Sequence, residues 1–277
     1  MCEVAVGPFS SGAGPTRVVG ISSGKGGVGK SSVTVNLALA LVGAGNSVGI
    51  LDADVYGFSV PAMLGLGAAP ADTGGLVMKD GKVEPPSAFG VRVMSMGFFA
   101  DEDQPVIWRG PMLHKALEQF LADVGWGSPD FLLVDMPPGT GDVALSMSQY
   151  LPASEVYIVT TPQAAAKRVA QRSAYAARKL NLPLRGVIEN MSWFTSPDGA
   201  RCEIFGSGGG AQLAEELGVP LLGQIPLVPA IRSGGDAGHP IVAAEPASEA
   251  AEAFRSIALQ IVELGRGRVF REELRIK

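Results

Sequence analysis

Residues 24 to 31 read Gly-Lys-Gly-Gly-Val-Gly-Lys-Ser, a glycine-rich stretch that fits the pattern GxxxxGK[ST]. Glycines let consecutive backbone N–H groups turn toward one anion, the last lysine reaches the terminal phosphates, and the hydroxyl after it is a ligand for Mg2+. Lys30 and Ser31 hold those two positions. The stretch is therefore predicted to bind a nucleoside triphosphate and Mg2+. The predicted nucleotide contacts here are Gly24, Lys25, Gly26, Gly27, Val28, Gly29, Lys30, Ser31 and Ser32.

The sequence on either side of this stretch supports the same interpretation. Residues 17 to 22 form an apolar, β-branched run, and residues 31 to 42 have the composition of a helix that packs against a sheet. A strand, a loop and a helix in this order place bound phosphates at the positive end of the helix. The order favours a phosphate loop over a glycine turn that binds no nucleotide.

Short apolar runs alternate with segments of helical spacing along the rest of the chain. Buried strands alternating with helices are typical of an α/β fold, and we predict a P-loop NTPase with a mostly parallel twisted sheet and helices on both faces. We expect one domain over 17–264, a disordered terminus at 1–16 and a tail at 265–277. The predicted strands are 47–51, 91–96, 131–134, 155–160, 185–188 and 221–225, and the helices are 111–123, 142–150, 163–179 and 207–217.

Several boundaries between these elements follow from turn and capping residues. Serine is a common N-cap, glycine stops helices, and proline with glycine marks turns. We expect Pro111 in a first helical turn, Ser207 as an N-cap, Gly218 as a helix stop, a hairpin about Asp80-Gly81 within 68–90, a tight turn at 196–199 and a helix packed on the sheet over 247–264.

Composition limits the classes of partner. The 277 residues carry 22 Lys and Arg against 27 Asp and Glu, a net charge of −5, and no basic cluster that could follow a nucleic acid backbone. No apolar run reaches membrane-spanning length and residues 1 to 16 lack the order of a signal peptide. Two cysteines fit a reducing compartment. These observations predict a cytoplasmic protein that binds neither nucleic acid nor membrane.

Three aspartates follow predicted strands. Asp52 and Asp54 come after one apolar run and Asp135 after another. Ligands of open α/β sheets gather at the carboxyl ends of the strands, so these carboxylates should meet the phosphate loop. Asp135 and Asp52 are then expected to hold Mg2+ with Ser31, while Asp54 orients or deprotonates the attacking water. The alternative is that strand-end aspartates only cap loops.

A short Gly/Pro loop, Met-Pro-Pro-Gly-Thr-Gly-Asp over 136 to 142, follows the third aspartate. Beside a γ-phosphate such a loop could report whether that phosphate is present. An ordinary strand-to-helix turn would have the same composition.

Together these segments resemble the Mrp-type (ApbC-like) ATPases of the MinD/ParA superfamily, whose deviant phosphate loop carries an additional lysine. The resemblance covers residues 17 to 263, roughly, and implies an ATP-hydrolysing carrier or scaffold that delivers iron-sulfur clusters to apoproteins. It rests on the motifs at 24 to 31, 52 to 57 (Asp-Ala-Asp-Val-Tyr-Gly), 135 to 142, 186 to 192 (Gly-Val-Ile-Glu-Asn-Met-Ser) and 223 to 226 (Gly-Gln-Ile-Pro).

The resemblance also implies roles for single residues. Lys25 looks like the family lysine that crosses a homodimer interface to the phosphates of the opposite subunit, so ATP would hold the dimer together. Asn190 resembles the residue that hydrogen-bonds the adenine, and the backbone from Pro226 to Pro229 would line the base pocket. A turn former at a strand end is the alternative for Asn190.

The expected cluster site departs from the family pattern. Mrp-type carriers commonly have a Cys-x-x-Cys pair after the Glu-Asn-Met-Ser segment, whereas residues 193 to 205 contain only Cys202. Two subunits then supply two thiolates, fewer than the four that ordinarily hold a [4Fe-4S] cluster. Cys202 is a weak ligand candidate, and a small apolar residue in a hairpin is the alternative. His114 has no cysteine or histidine near it in sequence and is expected to be a hydrogen-bonded helix residue.

Two functions stay open. One is an ATPase whose nucleotide-dependent dimer binds or transfers an iron-sulfur cluster. The other is a ParA/MinD-like switch in which ATP orders a surface that recruits a protein partner without any cluster. A metabolic kinase is a weaker third reading, because no pocket for a second substrate can be named from the sequence.

Overall fold

The computed structural model describes residues 9, 15–55, 57–67, 76–99, 110–139 and 141–267. Strands and helices alternate along these ranges as the hydrophobic pattern predicts. The strands are β1 (Arg17–Ser23), β2 (Val48–Asp52), β3 (Val77–Lys79), β4 (Lys82–Glu84), β5 (Ser87–Ala88), β6 (Val91–Ser95), β7 (Phe131–Asp135), β8 (Glu155–Thr160), β9 (Leu184–Glu189), β10 (Phe194–Thr195), β11 (Arg201–Cys202) and β12 (Leu221–Gln224). The helices are α1 (Lys30–Gly43), α2 (Val60–Met63), α3 (Gly110–Ala122), α4 (Asp142–Tyr150), α5 (Ala164–Lys179), α6 (Gly209–Leu217), α7 (Pro229–Asp236), α8 (Ile241–Ala244) and α9 (Glu249–Glu263), and a 3-10 turn spans Met96–Phe99.

The core is an eight-stranded sheet in the order β12-β9-β8-β1-β7-β2-β6-β5. Every neighbouring pair is parallel except β5 with β6, which is antiparallel. Strands β1, β2, β7 and β8 are buried along their whole length, because helices cover both faces of a parallel sheet. The predicted fold class is confirmed.

Two apolar layers cover the two faces of this sheet. Helices α1 and α9 pack together on one face, where Leu37 of α1 and Phe254 of α9 lie in the same cluster as Ile50 of β2. Helices α3 to α6 cover the other face, where Leu117 and Ala174 lie in the same cluster as Leu132 of β7. None of the helices in the described part of the chain is long and apolar enough to cross a membrane.

Most of the predicted boundaries are confirmed, and one is wrong. Gly218 ends α6 with a left-handed φ of 62°, and the hairpin of β3 and β4 turns at Asp80 and Gly81. Ser207, however, is not the N-cap of α6. The cap is Gly208, with a φ of 75° and no side-chain hydrogen bond. A buried carboxylate from another strand accepts the hydrogen bond of the first turn instead, as described below.

Other predictions fall wholly or partly on residues outside the described ranges. Most of 1–16 lies outside them, so the predicted disorder there is not described, although Phe9 is 7% exposed and packs in the core. Residues 68–75, at the start of the predicted surface excursion, also lie outside. Of the predicted tail at 265–277, the structure describes residues 265 to 267.

A buried ion cluster fixes the end of α9 to the sheet at the edge opposite the phosphate loop. Arg17, at the start of β1, pairs with Glu155 of β8 at 2.7 Å and donates to the backbone oxygen of Ile261 at 2.5 Å. The same carboxylate accepts the backbone N–H of Gly267 at 2.6 Å. Removing one partner of such a buried pair typically costs about 3–5 kcal/mol of stability, so these contacts hold α9 and the chain after it in place.

Candidate nucleotide-binding site

The predicted phosphate loop joins β1 to α1 and depends on its glycines for two different reasons. Gly27 and Gly29 have φ angles of 79° and 80°, a left-handed conformation that side chains disfavour. Gly24 is packed against α5, where an added Cβ would lie 2.2 Å from the backbone nitrogen of Ala170. Gly26, by contrast, faces open space. The loop is therefore fixed on its inner side by α5 and open on its outer side.

The first turn of α1 opens directly from this loop. Its N-cap is Gly29, and no side chain accepts a hydrogen bond at that cap. Backbone N–H groups at such a helix start favour an anion, because they carry the positive end of the helix dipole. The loop and the helix start together form a surface suited to phosphate groups.

The predicted acidic residues meet at the carboxyl edge of the sheet. Asp135 is the register partner of Ile21 on one side and of Asp52 on the other, and Asp52 is the register partner of Ser95. The four residues thus lie at one level across β1, β7, β2 and β6. Both aspartates are fully buried. The convergence predicted for these carboxylates and the loop is confirmed.

Lys30 is the centre of the polar cluster beneath the loop. Its Nζ lies 2.7 Å from Asp135 Oδ2 and 3.2 Å from Asp54 Oδ2, and it donates to Ser31 Oγ at 3.3 Å. Burial lowers the pKa of Lys30, but the attraction of Asp135 and the neighbouring carboxylates outweighs this, and the pKa is raised above its ordinary value. Lys30 is a buried cation whose charge two carboxylates share.

Asp135 organises the start of α1 through both of its oxygens. Ser31 Oγ donates to Oδ2 at 2.6 Å, and Thr34 Oγ1 donates to Oδ1 at 2.6 Å. Thr34 also lies within hydrogen-bond distance, 3.1 Å, of the Lys30 backbone oxygen. The sequence analysis missed Thr34. Its only signal is its position one helical turn after Lys30, on the same face of α1.

Asp52 is a buried carboxylate beside a second carboxylate, Asp135, and its pKa is raised. Ser95 Oγ donates to its Oδ2 at 3.0 Å and the backbone N–H of Asp54 to its Oδ1 at 3.2 Å. Burial, together with repulsion from Asp135, raises the pKa of Asp52 to about 8 from its ordinary 3.8. Two side-by-side carboxylates of this kind are stabilised by a cation between or beside them.

These oxygen ligands fit the predicted magnesium site. Mg2+ takes oxygen ligands and is commonly bound by one or two carboxylates together with substrate phosphates. The Ser31 hydroxyl and the Asp135 carboxylate already touch, and Asp52 is adjacent across the sheet. Asp52 and Asp135 are fully buried register partners on neighbouring strands, and two carboxylates placed so closely favour a divalent cation here.

Lys25 lies apart from this buried cluster. It is half-buried on the open side of the loop, and its Nζ is 3.4 Å from Gln163 Oε1, the residue before α5. Its backbone oxygen accepts a hydrogen bond from Ser23 Oγ at 3.1 Å. The Lys25 ammonium group thus belongs to the outer rim of the site and the Lys30 ammonium group to its floor.

The residues predicted to contact the base lie on the far side of the loop. Asn190 is buried at the end of β9, and its Nδ2 donates to the backbone oxygen of Val28 at 2.9 Å. Pro226 is also buried; the residues on either side of it bond to the same segment, since Ser192 N donates to Ile225 O and Leu227 N to Trp193 O. Asn190 and Pro226 are therefore parts of adjacent segments, and Asn190 directly supports the phosphate loop.

The Gly/Pro loop after Asp135 contacts the phosphate loop through a residue the sequence analysis missed. Ser173, buried in α5, lies 3.0 Å from the backbone oxygen of Gly139 and 3.3 Å from that of Ser23. Gly139 N also donates to Ser23 O at 2.8 Å. The Gly/Pro loop is thus bonded to Ser23, the last residue of β1, directly before the phosphate loop.

Cys202 lies in the small hairpin of β10 and β11, opposite Phe194. The predicted turn at 196–199 is present, with Gly199 N donating to Ser196 O at 2.8 Å. Cys202 is a free, exposed thiol. Within the described ranges no group of three or more His, Cys, Asp or Glu residues could hold a metal ion. One chain therefore offers this thiol alone as a soft ligand on the hairpin.

His114 packs on α4 as a structural residue. Its Nδ1 lies 2.9 Å from Ser146 Oγ, and its ring centroid lies 4.4 Å from that of Tyr150. The expectation of a hydrogen-bonded helix histidine is confirmed.

Known proteins with similar sequences are iron-sulfur cluster carriers by name. The chain is 49% identical over 257 residues to the "Iron-sulfur cluster carrier protein" of Mycobacterium tuberculosis strain H37Rv, covering 91% of this chain and 66% of that protein. It is 51% identical over 214 residues to the protein of the same name from Bacillus subtilis strain 168, covering 77% of this chain and 59% of that one. The chain thus spans less than two thirds of the length of these relatives.

Solved structures with the same fold bind adenine nucleotides. A nucleotide-binding protein from Archaeoglobus fulgidus in complex with ADP is 32% identical, with a TM-score of 0.72, covering 87% of this chain and 93% of that one. The septum site-determining protein MinD from Pyrococcus horikoshii, complexed with Mg-ADP, is 26% identical, with a TM-score of 0.66, covering 90% and 97%. A family model described as "ParA: NUBPL iron-transfer P-loop NTPase" matches residues 15–262, and the chain therefore belongs to this family of P-loop NTPases.

Proposed function

We propose that this chain binds and slowly hydrolyses ATP as a homodimer and carries iron-sulfur clusters to apoproteins in the reducing cytoplasm. The observation that carries the proposal is the buried contact of Lys30 with Asp135 and Asp54 beneath a glycine loop. The names of the relatives support the cargo, and the ADP complexes of the structural neighbours support the nucleotide.

Lys30 is held ready for the phosphates by its two carboxylate partners. A phosphate chain over the loop would bring negative charge to the same ammonium group, and Lys30 would then exchange part of its contact with Asp54 for a contact with phosphate oxygens. That exchange weakens the contact between Lys30 and the Asp54 carboxylate, which lies at the edge of the cluster. Asp54 is then the group that can orient a water or accept its proton.

Ser31 and Asp135, with Asp52 behind them, are the residues that would hold Mg2+. When bound, the ion neutralises charge on the phosphate oxygens. The Thr34 and Ser31 hydroxyls fix the Asp135 carboxylate from two sides, so its orientation does not depend on the ligand. Backbone N–H groups at the start of α1 stabilise the negative charge that develops on the phosphates.

Substitution of Asp54 tests the hydrolytic role. Asp54→Ala should lower the rate of phosphate release by a factor of about 10² to 10⁴, the usual contribution of a positioned acid or base. ATP affinity, measured with a fluorescent analogue, should change little because Lys30 keeps Asp135. Asp236→Ala, which removes an exposed carboxylate at the end of α7, is the matched control. Loss of ATP binding in Asp54→Ala would show that this carboxylate is part of the binding site and not of the hydrolytic step.

A cluster-free switch is the second candidate, and one observation favours it. Cys202 is the only cysteine on the hairpin where carriers of this family commonly have a pair. In that case ATP would order a surface for a protein partner, and the hairpin would carry no iron. Anaerobic reconstitution with iron and sulfide separates the two candidates, because only a carrier would bind a cluster.

A further inference from the structure

A sharp bend at residues 189 to 193 joins β9 to the hairpin that carries Cys202. Met191, in the middle of this bend, has a φ of 58°. A left-handed conformation is unfavourable for a residue with a side chain and persists where surrounding contacts enforce it. Something in this part of the molecule must therefore hold the bend.

Glu189 holds it. The residue is fully buried, and its Oε1 accepts hydrogen bonds from Ser192 Oγ at 3.0 Å and Gln224 Nε2 at 2.6 Å. Its Oε2 accepts the backbone N–H of Gly210, in the first turn of α6, at 2.5 Å. The Ser192 hydroxyl also lies 3.1 Å from the Glu189 backbone oxygen, which closes the bend on itself. One carboxylate thus joins the bend, β12 and α6.

The bend touches the phosphate loop on one side. Asn190 Nδ2 donates to Val28 O at 2.9 Å, and an added Cβ at Gly29 would lie 2.3 Å from the same nitrogen and 3.6 Å from Met191 Cε. Gly29 is the N-cap of α1. A small movement of the loop when phosphates bind would therefore displace Asn190 and Met191, because both lie against the loop.

The bend leads into the hairpin on its other side. Trp193 accepts a backbone hydrogen bond from Leu227 at 2.7 Å, and the Arg201 guanidinium lies 4.5 Å from the centroid of the Trp193 ring. Phe194, the next residue, pairs with Cys202. Trp193 thus connects the bend with β11, the strand that carries the thiol.

We propose that Glu189 is a positioning residue that couples the phosphate loop to the Cys202 hairpin by holding the bend at 189 to 193 in one conformation. The inference rests on the proposed function in one respect, namely that a nucleotide binds at the loop. It does not depend on the cargo. The alternative is that Glu189 serves only to accept the hydrogen bond at the start of α6. In that case its loss weakens the fold and leaves the hairpin's response to nucleotide unchanged.

Cys202 itself can report on this coupling. In a Cys2→Ser background it is the single thiol of the chain. The rate of its modification by dithionitrobenzoate is measured with and without the Mg2+ salt of a slowly hydrolysed ATP analogue, and analogue binding is measured separately by fluorescence. The variants are Glu189→Ala, Glu189→Gln and Ser192→Ala. Gln212→Ala, which removes a hydrogen bond to Lys167 from the outer face of α6, is the control.

We expect the analogue to change the Cys202 rate of the parent by about fivefold or more, the low end of ordinary coupling between sites. Glu189→Ala should reduce that change to less than about twofold while Gln212→Ala keeps it in full. Glu189→Gln, which retains one acceptor for the Gly210 N–H, should keep part of it. If Glu189→Ala does not fold, Ser192→Ala provides the same comparison, because it removes the donor that closes the bend and leaves the carboxylate in place.

An equal response to the analogue in Glu189→Ala, Ser192→Ala and Gln212→Ala would overturn the proposal and leave Glu189 as a cap of α6. A parent that binds the analogue with no change in the Cys202 rate would overturn the coupling alone. A parent that binds no analogue would overturn the proposed function itself, and the coupling with it, so the two failures are distinguishable.

Discussion

Lys30 shows how much of the site a single residue can reveal. Its place in the GxxxxGK[ST] pattern predicts contact with phosphates, and the structure adds the ion pairs with Asp135 and Asp54 that hold it beneath the loop. The carboxylates were predictable because strand-end aspartates of a parallel sheet meet at one edge. Thr34 and Ser173 were not, because their partners are distant in sequence: Asp135 lies 101 residues from Thr34, and Gly139 and Ser23 lie 34 and 150 residues from Ser173.

The pair of neighbouring carboxylates predicts a pH dependence for the ligand-free protein. The pKa of Asp52 is about 8 in the fold, above its ordinary 3.8, so the folded state retains a proton that the unfolded chain has already lost. Stability must therefore fall as pH rises between those two values, by up to about 1.4 kcal/mol per pH unit. The free energy of unfolding, measured by urea titration from pH 5 to pH 9, should show this slope.

Asp52→Asn is the matched variant, because it keeps the shape and removes the titration. Its free energy of unfolding should depend less on pH than that of the parent over the same range. Equal slopes in the two proteins would contradict the assignment of the raised pKa to Asp52.

At the scale of elements, the phosphate loop depends on α5 as much as on α1. An added Cβ at Gly24 would lie 2.2 Å from the backbone nitrogen of Ala170 and 2.3 Å from the backbone carbon of Val169, and neither atom can move without moving the helix. Gly24→Ala should therefore destabilise the nucleotide-free protein by about 3 kcal/mol or more. Chemical denaturation measures this directly.

Gly26→Ala is the control for that prediction, since nothing lies within 4 Å of its Cβ position. It should change the stability of the nucleotide-free protein by less than about 1 kcal/mol. Similar stabilities for the two variants would mean that the loop is not fixed by α5.

The elements themselves were largely predictable, and the exceptions have a physical cause. Apolar periodicity identified the main strands and helices, because β1, β2, β7 and β8 are buried on both faces and helices such as α3 and α5 bury one face. The predicted N-cap of α6, Ser207, was wrong because a serine next to glycines gives only local information about where a helix begins. The group that bonds its first turn is Glu189, a tertiary partner 21 residues earlier in the sequence.

At the scale of the whole molecule, the prediction of a homodimer rests on Lys25. The residue is half-buried on the outer rim of the loop. Among the residues that the structure describes, its ammonium group contacts Gln163, at 3.4 Å, and it lies on the side of the loop where a second subunit would meet it. Lys25→Ala should abolish Mg-ATP-dependent dimerisation in size-exclusion chromatography coupled to light scattering, because ATP would lose its contact across the interface.

Lys79→Ala is the charge-matched control, since Lys79 is 67% exposed on the β3–β4 hairpin. Dimerisation and phosphate release should be the same in that variant as in the parent. A Lys25→Ala protein that still dimerises with Mg-ATP would exclude the cross-subunit role.

Sequence alone predicted the nucleotide more securely than the cargo. The loop, the aspartates and Asn190 form a connected arrangement, so each supports the others. The cargo depends on one exposed thiol, and a cysteine in a hairpin has the same local pattern whether it binds iron or not. The relatives' names point to iron-sulfur clusters, and chemistry on this chain must decide.

The most direct measurement is the iron and acid-labile sulfide bound per chain after anaerobic reconstitution with Mg-ATP, in a Cys2→Ser protein and in the same protein with Cys202→Ser. We expect stoichiometric iron and sulfide, with charge-transfer absorbance, in the first protein and their loss in the second. Absence of iron from both proteins would contradict the carrier function and favour the cluster-free switch.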